Sequence, residues 1–353
     1  MNILILVNGL PPTTIGGTET QTFEIAKRLS EKNNVFVVTR GFKDTPREER
    51  LHGFLVKRSP YVRLGVPLGI YTLTALYELF KSREKIDAIL GMGVYSGFIG
   101  VLAKKLWGIP VVVSVRSETD CRGRSGLRGL IGGFVVGNSN AIWVQSELTR
   151  KEFLRNYPNN KTYVIPNGLE INGRRAKGKK IIYVGSLYET DTKDKGVKYL
   201  VEAMRHLKGY ELLIVGDGLE RRKLESLAEG VNVEFTGNIP PTKVKDHLLE
   251  AGVFAFPAVY GEGLPNAVLE ALSVGLPVVA TKTSKLDGII RDGETGFLVD
   301  PRDPMQLADK IRLLFEDENL RRKMSGNCVR EAEKFSWEKT IPKIEELLKK
   351  VGR

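Results

Sequence analysis

Between Tyr260 and Ser273 the chain reads Tyr-Gly-Glu-Gly-Leu-Pro-Asn-Ala-Val-Leu-Glu-Ala-Leu-Ser, with carboxylates at Glu262 and Glu270 on either side of an expected helix start. Gly263 and Leu264 read as a turn. Pro265 suits the first helical position, where its missing N–H leaves no helix bond unmade. The backbone N–H groups of such a helix start, Asn266 onward, attract anions, a diphosphate among them. Carboxylates accept hydrogen bonds from hydroxyls, so one Glu before the turn and one inside the helix can hold polyols on either side of that anion. A capped surface helix with two solvated acids fits the same residues.

Other loops offer related chemistry. Pro11-Pro12-Thr13-Thr14-Ile15-Gly16-Gly17-Thr18-Glu19 follows the first apolar run. Its glycines let backbone approach a ligand closely and leave helix amides for phosphate, although a plain tight turn needs the same residues. Thr18 and Gln21 fit a capping box for a helix whose Phe23, Ala26 and Leu29 share one face. Gly216-Asp217-Gly218-Leu219-Glu220-Arg221 approaches the dinucleotide fingerprint, but Arg221 stands where a third glycine should pack. Arg116 ends the run that begins at Pro110. An arginine is no neutral base at ordinary pH, yet it pairs bidentately with phosphate, so substrate positioning or charge stabilisation suits it. An ion pair with Glu118 or Asp120 is the structural alternative. His52, His206 and His247 are dispersed, and the chain has no Asp-x-Asp, P-loop, Gly-x-Ser-x-Gly or Cys-x-x-Cys. Neither a metal nor a cofactor is expected.

These loops need scaffolding at strand ends. Apolar runs at Ile3–Val7, Val35–Thr39, Ile86–Leu90, Val111–Val115 and Ala141–Val144 alternate with helical stretches, the pattern of a parallel sheet built from βαβ units. A second series repeats it at Ile181–Val184, Glu211–Val215, Val231–Phe235, Val253–Phe256 and Val278–Ala280. The glycine- and charge-rich stretch 167–180 between them reads as a hinge. The fold class is therefore α/β, two Rossmann-like doubly wound domains with ligands at the carboxyl ends of their strands. The boundaries expected are 1–170 and 171–334, with an amphipathic helix over 335–353.

Composition agrees. At 353 residues, 42% hydrophobic and 27% charged, the chain suits two globular domains. Cys121 and Cys328 make no disulfide framework and Met1–Val7 lacks a basic leader, so a reducing, cytoplasmic setting is expected. The apolar stretch Leu64–Tyr77 is short of the roughly 20 residues of a helical span. The net charge of +12 is uneven: residues 1–172 hold 23 Lys/Arg against 14 Asp/Glu, and residues 173–353 hold 31 against 28. Such an excess attracts nucleic acid, anionic lipid or phosphorylated substrates, and solvated surface lysines explain it equally.

The segment around Glu262 and Glu270 resembles the Glu-x7-Glu signature of family 4 retaining glycosyltransferases of GT-B fold. Gly16-Gly17, Pro166-Asn167-Gly168, Lys195-Gly196, Gly216-Asp217-Gly218 and Leu276-Pro277-Val278-Val279 match in the family's order. The resemblance implies two domains across a cleft, with the acceptor on the first and a nucleotide-sugar donor (UDP-, GDP- or ADP-linked) on the second. It also implies that the last helix crosses back to the first domain.

By the same resemblance, Glu262 contacts the donor sugar and Glu270 the ribose. Gly16, Gly17, Lys195 and the amides around Gly263, Leu264 and Asn266 lie at the diphosphate, and Asn238 and Ile239 near the base. Two positions depart from the pattern. Ser186 replaces the usual arginine, with Lys193 a candidate substitute, and Arg116 stands where many members carry histidine. With the basic first half and the apolar stretch, a lipid-linked or phosphorylated acceptor and peripheral contact with an anionic membrane are expected, and no nucleic acid. A sugar-nucleotide 2-epimerase of related architecture and a non-catalytic nucleic-acid or membrane binder are the competing readings.

Overall fold

Short runs, most of them apolar and largely buried, set the first sheet. They are Asn2–Leu6 (β1), Asn34–Thr39 (β2), Glu48–Leu51 (β3), Phe54–Arg58 (β4), Ala88–Met92 (β5), Val111–Ser114 (β6), Ala141–Val144 (β7) and Thr162–Val164 (β8). The order is β3-β4-β2-β1-β5-β6-β7-β8, parallel except for the β3–β4 hairpin. The computed structural model describes residues 1–14, 16–61, 67–116, 127–158, 161–171, 173–190, 193–260, 264–284, 286 and 288–353. This sheet belongs to a unit formed by Met1–Gly168 and Glu338–Arg353. The last helix, Trp337–Val351, contributes buried Ile344, Leu347 and Leu348. The polar strands β3 and β8 and the short β4 were not anticipated from the sequence.

The second unit, Leu169–Trp337, is built on Lys180–Val184 (β9), the two-residue hairpin Glu189–Thr190 (β10) and Lys193–Asp194 (β11), Leu212–Val215 (β12), Val233–Gly237 (β13), Ala251–Phe256 (β14), Val278–Thr281 (β15) and Gly296–Val299 (β16). Its main sheet runs β13-β12-β9-β14-β15-β16, with every pair parallel. Strand alternation sorts the core into two layers. Ile182, Leu213, Phe254 and Val278 face one with Leu264, Val268 and Leu272, while Ile181, Leu212, Val253 and Val279 face the other with Leu200, Leu307 and Ile311. Burying Phe254 alone contributes roughly 2–3 kcal/mol. The strand order reverses between β9 and β14, and at such a switch point the strand ends leave a crevice for a ligand.

Much of the stretch 167–180 is bonded into the second unit. The N–H groups of Ala176, Lys177 and Gly178 donate to Val274, Leu249 and Ala251 at 2.8–3.1 Å, and the N–H of Trp337 reaches the Leu169 carbonyl at 3.2 Å.

Candidate functional site

At the carboxyl end of the second sheet, three glycine turns interlock. A Cβ at Gly216 (φ 136°) would strike the Gly185 carbonyl, and one at Gly218 the Leu187 carbonyl. The close approach is fixed by Gly185 N–H to the Val215 carbonyl (3.0 Å), Leu187 N–H to Asp217 (3.0 Å) and Gly216 N–H to Gly237 (3.1 Å). Arg221, which spoils the dinucleotide fingerprint, pins this turn by pairing with Asp217 at 3.3 Å and Glu225 at 2.7 Å. Ser186 sits on the turn, exposed, its carbonyl accepting from the Tyr183 hydroxyl at 3.3 Å. Asn238 is exposed and Ile239 half-buried just beyond β13.

Lys195 is positioned by its neighbours. Asp194 is buried and its carboxylate accepts from the Gly196 N–H at 2.7 Å, while its carbonyl accepts from Val259 N–H at 3.0 Å. Gly196 adopts φ 66°, and a Cβ there would collide with the Pro257 carbonyl at the exit of β14. The Lys195-Gly196 turn is thereby held at the switch point, where Lys195 borders a cavity of 240 Å³ with Leu187, Tyr188 and Lys198. The side chain of Lys193 lies outside the described residues.

Across the switch point, β14 leads to the helix Asn266–Ser273. Pro265 is its N-cap (φ −66°, ψ 121°) rather than its first helical residue, and a proline side chain offers no cap. The reason is local: an extended ψ at Pro265 lets Leu264 turn into the core, where it is buried. Glu262 and Gly263 lie outside the described residues. Glu270, one turn into the helix, is half-buried and has no ion pair among the described residues. Burial pushes its carboxyl up to about 7, opposed only by Lys245. A carboxylate held this way is short of donors, which hydroxyl groups would supply.

In the first unit, Gly16 is the extended N-cap of the helix Gly17–Leu29, again without a side-chain cap. The expected capping box is absent because the helix starts at Gly17, which puts Thr18 inside its first turn, and because of how Gln21 is used. Its amide donates to the Gly168 carbonyl at 2.9 Å and accepts from the Gly168 N–H at 3.0 Å, fixing the Pro166-Asn167-Gly168 turn. Asn167 is buried, and its side-chain oxygen accepts from Gln145 at 2.6 Å and Arg116 at 2.9 Å. Arg116 also donates to Ser114 at 3.1 Å and lies 5.0 Å over the Trp143 ring, and its buried Nη2 has no partner among the described residues. Burial lowers its pKa to about 9, with Glu19 opposing the shift. Glu118 and Asp120, its expected structural partners, lie outside the described residues.

Sequence reasoning missed Gln21 as a backbone clamp, and it missed Gln145 altogether. The one available signal was rarity, since they are two of three glutamines in the chain.

Two parallel-sheet α/β units with glycine turns gathered at the carboxyl ends of their strands have the architecture of the GT-B fold class. Solved structures share the fold. Sucrose-phosphate synthase from Thermosynechococcus elongatus superposes with a TM-score of 0.85 at 20% identity, over 99% of this chain and 98% of that one. Anabaena HepE in complex with UDP-glucose gives 0.81 at 18% identity, over 99% and 100%. Residues 15–172 match the model described as Glycosyltransferase Family 4, and residues 166–329 that described as Glycosyl transferases group 1. A D-inositol 3-phosphate glycosyltransferase of Acidothermus cellulolyticus is 26% identical over 93% of this chain and 84% of its own. An uncharacterized glycosyltransferase of Methanocaldococcus jannaschii is 28% identical over 96% and 95%. The chain belongs to the family 4 glycosyltransferases.

Proposed function

We propose that this glycosyltransferase moves a sugar from a nucleotide donor to an acceptor hydroxyl with retention of anomeric configuration and without a metal. The observation that carries the donor site is Glu270, a half-buried carboxylate without an ion pair among the described residues, one turn inside the helix that begins at Asn266. Ribose hydroxyls donate to Glu270, and Glu262 takes hydroxyls of the sugar. Lys195 and the amides around Gly263, Leu264 and Asn266 neutralise the diphosphate, with Gly16 and Gly17 beside it. Asn238 and Ile239 border the base, and Ser186 leaves the diphosphate one cation short of the family pattern.

The bond from the anomeric carbon to the diphosphate oxygen breaks, and the nucleoside diphosphate leaves with the electron pair. The acceptor oxygen bonds the same face, and its proton passes to the leaving phosphate. No enzyme nucleophile is needed. Arg116 orients substrate or offsets its charge.

UDP is the first nucleotide to test, because HepE of the same fold was solved with UDP and with UDP-glucose. A phosphorylated acceptor is supported by the relatives named for D-inositol 3-phosphate. Among the described residues no helix is long and apolar enough to cross a membrane. The helix Pro67–Ser82 exposes Leu73, Tyr77 and Phe80, which favours peripheral contact with an anionic bilayer.

The test is a thermal-shift screen of UDP-, GDP- and ADP-sugars in EDTA against wild type and Glu270→Ala. One nucleotide series should stabilise wild type alone. Stabilisation by none, or equal stabilisation of the variant, would refute the donor site. Release of an isomerised sugar without any acceptor would instead indicate an epimerase.

A further inference from the structure

At the opposite end of the second sheet from the donor loops lies a cavity of 390 Å³ bordered by Arg175, Lys177, Arg321 and Arg322 with a single carboxylate, Glu318. Gly178 precedes β9, Gly252 opens β14 and Pro277 precedes β15, so its floor is the amino ends of these strands. Strands of this length separate it from the carboxyl edge by roughly 15 Å. It is no extension of the donor site.

Arg175 and Lys177 stand exposed at the rim, and Arg321 is half-buried. A Cβ at Gly275 would lie 3.2 Å from Nη1 of Arg175, and one at Gly252 would lie 3.1 Å from Nη1 of Arg321. The nearest atoms at these glycines are the Ser325 hydroxyl and the Phe315 ring, with the guanidinium groups beside them. Arg175 is tethered to the Ser325 carbonyl at 3.2 Å, and Arg321 lies 5.8 Å over the Phe315 ring. Glu318 is engaged by Arg322 at 2.7 Å. That leaves Arg175, Lys177 and Arg321 with no carboxylate within 4.0 Å among the described residues. The last carbonyls of helix Asn266–Ser273, which leads into Gly275 and Leu276 of the wall, are hydrogen-bonded. Gly275 and Leu276 N–H groups cap the Leu272 and Ala271 carbonyls at 2.9 and 3.0 Å, and Ala176 N–H covers Val274 at 2.8 Å.

Three uncompensated cations around a concave space repel one another, and a multiply charged anion relieves that repulsion while using both arginine forks. We propose that this cavity binds a small phosphate-bearing molecule, at a site separate from the donor and independent of its assignment. The volume admits a phosphorylated metabolite of drug-like size.

The probe is inorganic pyrophosphate, titrated calorimetrically at constant ionic strength into wild type, Arg175→Gln/Arg321→Gln, Glu318→Gln and Lys195→Ala. With two charge-assisted partners removed, the double variant should lose on the order of tenfold or more in affinity. Glu318→Gln should bind several-fold tighter, a change that a purely structural role would not produce. Lys195→Ala should leave this site intact. If the double variant fails to fold, judged by circular dichroism, Glu318→Gln and Arg321→Gln alone decide. Wild-type affinity in the arginine and Glu318 variants would overturn the proposal, as would loss of all pyrophosphate binding in Lys195→Ala. Binding of oligonucleotide or anionic vesicles through these arginines, with pyrophosphate ignored, would overturn it too.

Discussion

Replacing Glu270 by Gln should make the second unit more stable at neutral pH and remove a pH dependence that the wild type carries. The folded carboxyl sits at about 7 against 4.5 unperturbed, because burial disfavours its charge. Between those values the folded state holds a proton that the unfolded state has lost, so stability falls as pH rises through this window and levels off above 7. The full shift corresponds to about 3 kcal/mol. That figure is a ceiling, since a half-buried carboxylate keeps some water. Native-state hydrogen exchange of β14 and β15 amides, compared between variant and wild type from pH 5 to 7.5, isolates the effect because intrinsic exchange rates cancel. The ratio should be about fourfold at pH 5 and should approach on the order of a hundredfold slower exchange in Glu270→Gln at pH 7.5. A ratio that does not change with pH would refute the reasoning, because the carboxylate would then be solvated in the fold.

Gly196→Ala combines a left-handed φ of 66° with a collision at Pro257, so it should destabilise the second unit by roughly 2 kcal/mol or more, read as a lowered Tm, and weaken nucleotide binding. Gln21→Ala removes both bonds to the Gly168 backbone and leaves buried partners unmet. It should cost about 1–3 kcal/mol by urea unfolding, while Gln21→Glu, which keeps only the acceptor, should not restore the loss.

The apolar runs located most strands because β-branched residues buried on both faces leave little ambiguity, as at β6 and β15. Boundaries drifted where glycine belongs to a strand. Gly91 pairs with Val113 inside the sheet, and a Cβ there would lie 2.8 Å from Gly97 of the helix Val94–Trp107, so this glycine marks close packing and not a turn. Strand β3 was invisible because Glu-Glu-Arg-Leu is an edge strand whose partners, such as Lys57 for Glu48, lie across the hairpin. In the site, Glu262 and Glu270 were visible as two carboxylates around an expected helix start, whereas Lys195 stood out only through the family resemblance. The clamp of Gln21 on Gly168 and the convergence of Gln145 and Arg116 on Asn167 join residues far apart in sequence, which no local pattern encodes.

The first unit is discontinuous, while residues 169–337 form the second without interruption. On the ribosome, the usual order in which amino-terminal domains mature first is therefore inverted. The nascent first sheet must wait, its berth for Ile344, Leu347 and Leu348 empty, until the entire second unit has been translated. Through that interval the apolar surface under the last helix is the chain's most exposed liability, and a holdase chaperone that shields it would raise the yield of native protein.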